Sequence, residues 1–334
     1  MLYVPIMNQA LVTGANGHIG ANVVRELLAN GYSVVALVRE GSDLRGLEDL
    51  DVRIERGDVR DANAVARAID GATYVFHLAA PYQTWAKDAS SIVDPAVQGT
   101  EVVLRAAKKA GVKRVVVTSS CNVVGFTRGE PLDETVWRDG ATSPYMRAKL
   151  EQERRAHALA KELDLDVVTV LPTAVLGPFD FRKTPTTSPF VDALNGKGPV
   201  PFPMNVVDVR DVALGHRLAA EKGTRGSRYL LGGDNVDIPT LATLIEKHTG
   251  KKPARGLPPS WVLRAVAAVS EAVSAVSGKP PILTRALLDD AGGGVPLFKI
   301  DKAKSELGYT PRSAEEVIQA TVAWARKMKW APPV

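Results

Sequence analysis

The stretch Ala10-Leu11-Val12-Thr13-Gly14-Ala15-Asn16-Gly17-His18-Ile19-Gly20 decides the fold. A short apolar run ends in glycines spaced three apart, and Ile19, Val23 and Leu27 then recur at the i, i+4 interval of one helix face. Glycines between a buried strand and a helix let the backbone turn sharply and come close to a pyrophosphate, whose charge is favoured at the helix N-terminus. A tight turn without a ligand is the plainer reading, and the strand before it and the helix after it weigh against that.

Outward from this turn, the first half alternates β-branched runs with helical stretches, the pattern of βαβ units around a buried parallel sheet. Strands are predicted at 10–13, 33–38, 53–55, 74–78, 114–118 and 167–171. Asp94-Pro95 reads as an N-cap followed by Pro at the first helical position, with Gly111 ending that helix. Ser143-Pro144 opens another helix by the same grammar, running to about Leu163. The expected architecture is α/β, a doubly wound parallel sheet with the cofactor across the carboxyl ends of its strands and a smaller α-rich substrate lobe. Residues 1–176 are assigned to the cofactor domain with 204–231 returning to it, and 177–203 with 232–334 to the substrate lobe. The proline-rich stretch 177–203 is expected to be a loop on the substrate side. The Ala/Val-rich stretch 257–276 contains Arg264, Glu271 and several serines, so it is expected to be a buried helix of the second domain, with a membrane-surface contact as the alternative to burial.

Composition narrows the function classes. Apolar residues make up 45% and charged residues 24% of 334, near the globular average, which argues against long disorder and a membrane bundle. The surplus of 42 Lys+Arg over 37 Asp+Glu is small, and the cations alternate with anions, as in Arg53-Ile54-Glu55-Arg56, so nucleic acid is not an expected partner. One Cys, Cys121, excludes an intrachain disulfide, and no basic start followed by an apolar run opens the chain, so a reduced, cytoplasmic protein without a membrane span is expected. No metal-ligand pattern is singled out.

Charge at the end of the second strand selects the cofactor. A carboxylate there would bond the ribose diol of NAD, whereas a guanidinium pairs with the 2′-phosphate of NADP. The strand ends Leu37-Val38-Arg39, with Ser42 and Arg45 nearby, which favours NADP(H); Glu40, able to face a ribose, keeps NAD(H) open. His77 ends the fourth strand and reads as a packed core histidine, followed by the small Ala79 and Ala80.

The fifth strand ends Thr118-Ser119-Ser120-Cys121, and Tyr145 and Lys149 follow on the next helix at i, i+4, so both reach one region. Hydride arriving at a carbonyl carbon leaves charge on oxygen, which needs a proton donor and a hydrogen-bond partner. A phenol is a poor acid at neutral pH unless nearby positive charge stabilises phenolate, and Lys149 supplies that charge.

Placed together, the Gly-x2-Gly-x2-Gly turn, Ser120 and Tyr145-x3-Lys149 resemble the extended short-chain dehydrogenase/reductase superfamily, the NAD-dependent epimerases and dehydratases with a Rossmann fold. The segments 95–100, 171–179 and 207–213 resemble its dihydroflavonol 4-reductase-like group, and 300–309 resembles the C-terminal signature of extended members. The resemblance implies Tyr145 as proton donor, Lys149 as tuner of its pKa and anchor of the ribose, and Ser120 as hydrogen-bonder to the carbonyl, with Ser119 as the neighbour to test next. It implies cofactor contacts from Gly14, Asn16, Gly17, His18, Ile19, Gly20, Arg39, Asp58, Val59, Leu78, Ala79, Ala80, Thr118, Tyr145, Lys149, Pro172, Thr173 and Val175, with Asp58 on the adenine amine. Tyr82, Gln83, Trp85, Asn122, Val123, Phe179, Phe181 and Phe190 are expected near the substrate, and their aromatic character suits an apolar or aromatic carbonyl compound. One departure is Ala96, where many extended members carry Asn.

The leading expectation is an NADPH-dependent carbonyl reductase of a small ketone or aldehyde. A nucleotide-sugar epimerase is the rival, with Arg182, Lys183 and Arg210 for a diphosphate; Arg39, and Ser120-Cys121-Asn122 where dehydratases carry Thr-Asp-Glu, stand against it. Cys121 as a proton donor, as in GDP-fucose synthases, is weighed against an inert strand-end thiol. A non-catalytic NADP-sensing protein is the third reading, and retention of Tyr145, Lys149 and Ser120 opposes it. Extended members commonly dimerise through the helices after the fourth and fifth strands, and the resemblance leaves a homodimer open for this chain.

Overall fold

The computed structural model describes residues 8–80, 85–86, 88–197, 202–254, 256–278 and 281–331. The chain begins β1 (Gln9–Thr13), α1 (His18–Ala29), β2 (Ser33–Val38), β3 (Arg53–Arg56), α2 (Ala62–Ile69), β4 (Tyr74–His77), α3 (Ser90–Ala110), β5 (Arg114–Thr118), α4 (Pro144–Glu162) and β6 (Val167–Pro172). It continues through β7 (Ala174–Leu176), α5 (Thr187–Leu194), β8 (Met204–Asp208), α6 (Val209–Lys222), β9 (Arg228–Leu231), β10 (Asp234–Val236), α7 (Ile238–Thr249), α8 (Ser260–Ser277), α9 (Arg285–Ala291) and α10 (Ala314–Lys327).

Seven strands form one parallel sheet in the order β3-β2-β1-β4-β5-β6-β9, a doubly wound Rossmann arrangement whose order reverses between β1 and β4. Successive side chains of a strand face opposite sides, and both sides are buried. Val12 packs with Val23, Leu27 and Leu218 under α1 and α6, while its neighbour Leu11 packs with Val65, Leu104 and Leu159 under α2, α3 and α4. This is why the strands read as nearly continuous apolar runs.

The return of 204–231 divides. α6 packs against α1 and β9 joins the large sheet beside β6, but β8 pairs with β7 and β10 in a separate three-stranded sheet. That small sheet, with α5, α7 and α10, surrounds its own core of Phe190, Leu194, Val206, Leu241, Ile245 and Val317. Tyr309 and Leu307, from the far C-terminal part, are buried in the core of the large sheet instead.

Two helix expectations need correction. α3 starts at Ser90, not after Asp94, and carries Pro95 inside it. Asp88 takes the capping role one turn earlier, its carboxylate accepting from Ser90 N (3.0 Å), and Pro95 removes only the N–H that would reach the Ser91 carbonyl. The stretch read as a buried helix, α8, buries only Ala267 and Ser274. Trp261, Val266, Val269, Val273 and Val276 are exposed along it, because α8 stands off the lobe and meets chiefly α9. By length and composition α8 is the one described helix apolar enough to cross a membrane.

Candidate active site

A cavity of about 900 Å³ lies along the carboxyl ends of β1, β2, β4, β5 and β6, near the upper end of the ~300–1,000 Å³ range of small-molecule sites. At its floor is the glycine turn. Gly14 has φ +68°, and a Cβ on Gly20 would lie 2.2 Å from the Gly14 carbonyl, so α1 can start this close to β1 only with no side chain there. The first turn of α1 has no side-chain cap, and Gly17, His18, Ile19 and Gly20 line the cavity, the arrangement that binds a pyrophosphate. Leu78, Ala79, Ala80, Pro172, Thr173 and Val175 form the walls beside it.

At one end β2 and β3 present charge. Arg39 is exposed on the cavity wall, and its guanidinium has no hydrogen bond or ion pair among the described residues. Glu40 is not on that wall and lies 3.6 Å from Arg56. Asp58 and Val59 line the same end, and both Asp58 oxygens are taken by Arg60 (2.9 and 2.8 Å), which holds the carboxyl down at about 2. Asp43, also on the wall, is held by Arg45 in the same way.

The proline-rich segment divides: its first part, 178–182, closes over this end, while Pro189 and Phe190 further along it reach the cavity wall. The Pro178 carbonyl accepts from Asn22 Nδ2 (3.3 Å) and lies 3.0 Å from His18 Nε2, and Arg182 Nη2 donates to the Asn16 carbonyl (2.9 Å). Phe179 and Phe181, expected near the substrate, do line the cavity, but they stand against Arg25 and Arg45 respectively and both meet Trp324 of α10, Phe179 tilted at 42° and Phe181 edge-on at 88°. Trp324 Nε1 donates to the Asp180 carbonyl (2.9 Å), which anchors the segment from the C-terminal side. Arg210 is bound to Asp208 and faces a different groove, and Lys183 lies 3.5 Å from Asp192, so neither is offered to a diphosphate in the cavity.

At the other end are the three residues expected to carry the acid–base chemistry. Ser120, Tyr145 and Lys149 all line the cavity. Ser120 Oγ accepts from Asn122 N (3.2 Å), leaving its O–H to donate. Ser119 also touches the cavity wall, but its hydroxyl is committed to the buried Glu153. Lys149 Nζ donates to the Thr118 carbonyl (2.9 Å) and to Gln152 Oε1 (3.0 Å). Burial pulls the Lys149 ammonium down to about 8, with Glu153 opposing part of the effect. Thr118 offers only its carbonyl here, since its hydroxyl donates to His216 Nε2 (2.8 Å). Burial pushes the Cys121 thiol up to about 12, so it is an inert strand-end thiol at neutral pH.

Asn122 and Phe190 reach the cavity wall and Trp85 does not; Ser91 and Pro95 of α3 are on it instead. Tyr82 and Gln83 lie outside the described residues. Sequence reasoning missed the far wall of Met204, Asn205, Pro296 and Phe298, and Gln152, which lies behind the cavity wall and accepts from Lys149. Gln152 was within reach, three residues past Lys149 on one helix face; the far wall comes from distant strands and loops that no local pattern joins.

Residues 10–232 match the model of the "NAD dependent epimerase/dehydratase family". The chain belongs to the NAD-dependent epimerase/dehydratase family. It is 33% identical over 322 residues to a putative dihydroflavonol 4-reductase of Synechocystis, covering 94% of this chain and 93% of that protein. It is also 33% identical to sterol demethylase protein B of Methylococcus capsulatus, covering 95% and 98%. Among solved structures, a dTDP-glucose 4,6-dehydratase of Streptomyces venezuelae with NAD bound superimposes with a TM-score of 0.76 at 26% identity, covering 97% and 99%.

Proposed function

We propose that this family member is an NADPH-dependent carbonyl reductase acting on a small apolar or aromatic ketone or aldehyde. The observation that carries the reading is the convergence of Ser120, Tyr145 and Lys149 in the same cavity as the uncapped start of α1 and the exposed Arg39. The residues present fit a dinucleotide: α1 would hold the pyrophosphate, Arg39 the 2′-phosphate, and Lys149 the ribose near Tyr145. A bound nicotinamide supplies the hydride. Ser120 donates a hydrogen bond to the substrate oxygen, and Tyr145 gives it a proton as charge develops there. The Lys149 ammonium, charged below about pH 8, stabilises the phenolate that Tyr145 becomes.

Relatives named as reductases support the carbonyl chemistry, and the apolar wall of Phe190, Met204, Pro296 and Phe298 supports an apolar substrate. The sugar-nucleotide reading lacks free cations at Lys183 and Arg210. The deciding experiment is NADPH oxidation across a panel of cyclic ketones and aromatic aldehydes. Tyr145→Phe should lower kcat at least about a hundredfold, in line with loss of a general acid, and unchanged turnover would sink the assignment.

A further inference from the structure

Lys149 is only 6% exposed, and two of its three N–H bonds are already directed, to the Thr118 carbonyl and to Gln152 Oε1. Gln152 is itself 1% exposed. On its other side Gln152 Nε2 donates to Thr100 Oγ1 (3.0 Å), and Thr100 spends its single hydroxyl proton on the Ala96 carbonyl (2.8 Å). Thr100 Oγ1 therefore accepts from Gln152 and also from His77 Nε2 (3.0 Å). Burial pulls His77 down to about 3, so the ring is neutral and carries one proton, on Nε2. Its Nδ1 then accepts from Thr13 Oγ1 (2.9 Å), and Thr13 accepts from Ala79 N (3.2 Å).

The direction of this chain is forced. Turning the Gln152 amide over would set its NH₂ against the Lys149 ammonium and an oxygen against Thr100, whose only proton is committed elsewhere. Four elements are thereby tied together: α4 through Lys149 and Gln152, α3 through Thr100, β4 through His77, and β1 through Thr13, the residue that opens the glycine turn. Ala96 brings no polar side chain to this network; its carbonyl alone takes part.

Resting on the reductase reading, we propose that Gln152 is a positioning residue, which holds the Lys149 ammonium in the cavity wall and couples it through Thr100 and His77 to the strand that carries the cofactor turn. The other titratable groups around Lys149 are Tyr145 and Glu153 on α4 and the neutral His77 on β4; β5 offers only the Thr118 carbonyl and α3 only Thr100. Gln152 contributes an oriented amide dipole with no charge of its own, so the side chain at this position sets how readily Lys149 gives up its proton.

The test uses the full-length protein as wild type, Gln152→Leu and Gln152→Glu, with lysine labelled at Cε by ¹³C and the Lys149 signal assigned by Lys149→Arg. The Lys149 midpoint should fall by about one pH unit in Gln152→Leu, the loss of one hydrogen bond to a charged group. It should rise in Gln152→Glu. The alkaline limb of kcat for NADPH-dependent carbonyl reduction should move with it in both variants. A merely structural glutamine would leave the midpoint where it is, and an unmoved midpoint in both variants overturns the proposal. If Gln152→Leu does not fold, the rise in Gln152→Glu alone decides. Should the midpoint move while no variant or wild type reduces any carbonyl, the reductase reading fails and the assignment of Gln152 to Lys149 stands.

Discussion

Arg39 and Glu40 are adjacent in sequence and end in different places. Arg39 stands on the cavity wall without a hydrogen bond or ion pair among the described residues, its charge felt by Asp58, and Glu40 leans to Arg56 outside the wall. A bonded pair of charges is worth about 1.5–3 kcal/mol, or roughly ten- to a hundredfold in binding. Arg39→Asp should therefore raise the KM for NADPH by about that factor and leave NADH less affected, as steady-state kinetics with both cofactors will show; a wild-type preference for NADH would refute the role given to Arg39. At Lys149, burial disfavours the charged form, so the ammonium is lost from about pH 8 upward, below the ordinary 10.5. Reduction should be insensitive to this group between about pH 6 and 7 and decline above about pH 8, a profile that Lys149→Met, with its activity largely gone, should not reproduce. Both residues were legible in the sequence because each sits at a fixed offset from a strand end or a tyrosine. Phe179 and Phe181 were not, since their partner Trp324 lies more than a hundred residues away and pulls them toward the phosphate end.

Within single elements, local grammar was reliable where the caps were local. α4 opens at Pro144 behind Ser143, as the sequence proposes, and α3 ends at Gly111 with φ +69°. The start of α3 was misread because Asp88 caps from further upstream than the conspicuous Asp94-Pro95 pair. α4 does more than carry Tyr145. Glu153 on its buried side accepts from Arg228 Nε (2.8 Å), Thr169 Oγ1 (3.0 Å) and Ser119 Oγ, and Arg228 lies 3.6 Å over the Trp137 ring. Burial pushes the Glu153 carboxyl up, but His157, Arg228 and Ser119 outweigh it and hold the group ionised. Removing one partner strands the other charge, so Glu153→Ala should cost about 3–5 kcal/mol in urea denaturation. A loss below about 1 kcal/mol would mean that Arg228 finds water or another acceptor.

At the scale of the whole molecule, the large sheet was readable because each buried strand announces itself, whereas the small sheet of β7, β8 and β10 was not. Its strands are short and come from three separated places in the chain, so no local pattern pairs them. Composition alone also could not say whether α8 faces inward. Val269 is 64% exposed and Leu159 fully buried, although both are aliphatic residues on helices. Val269→Gln should change stability by no more than about 0.5 kcal/mol, against about 2–5 kcal/mol for Leu159→Ala, measured side by side.

The clearance between Gly20 and the Gly14 carbonyl has a consequence for how this protein could change over generations. At position 20 any side chain collides with backbone, so variation there is removed at the level of folding. At position 39 the side chain stands in solvent on the cavity rim, so variation there is expected to leave the fold untouched. Sequencing a library randomised at both sites should return glycine almost alone at position 20 among soluble clones and most residue types at position 39. Two positions on one cavity wall thus stand under separate constraints, one fixed by backbone geometry and the other, on the proposed reading, free to follow the cofactor.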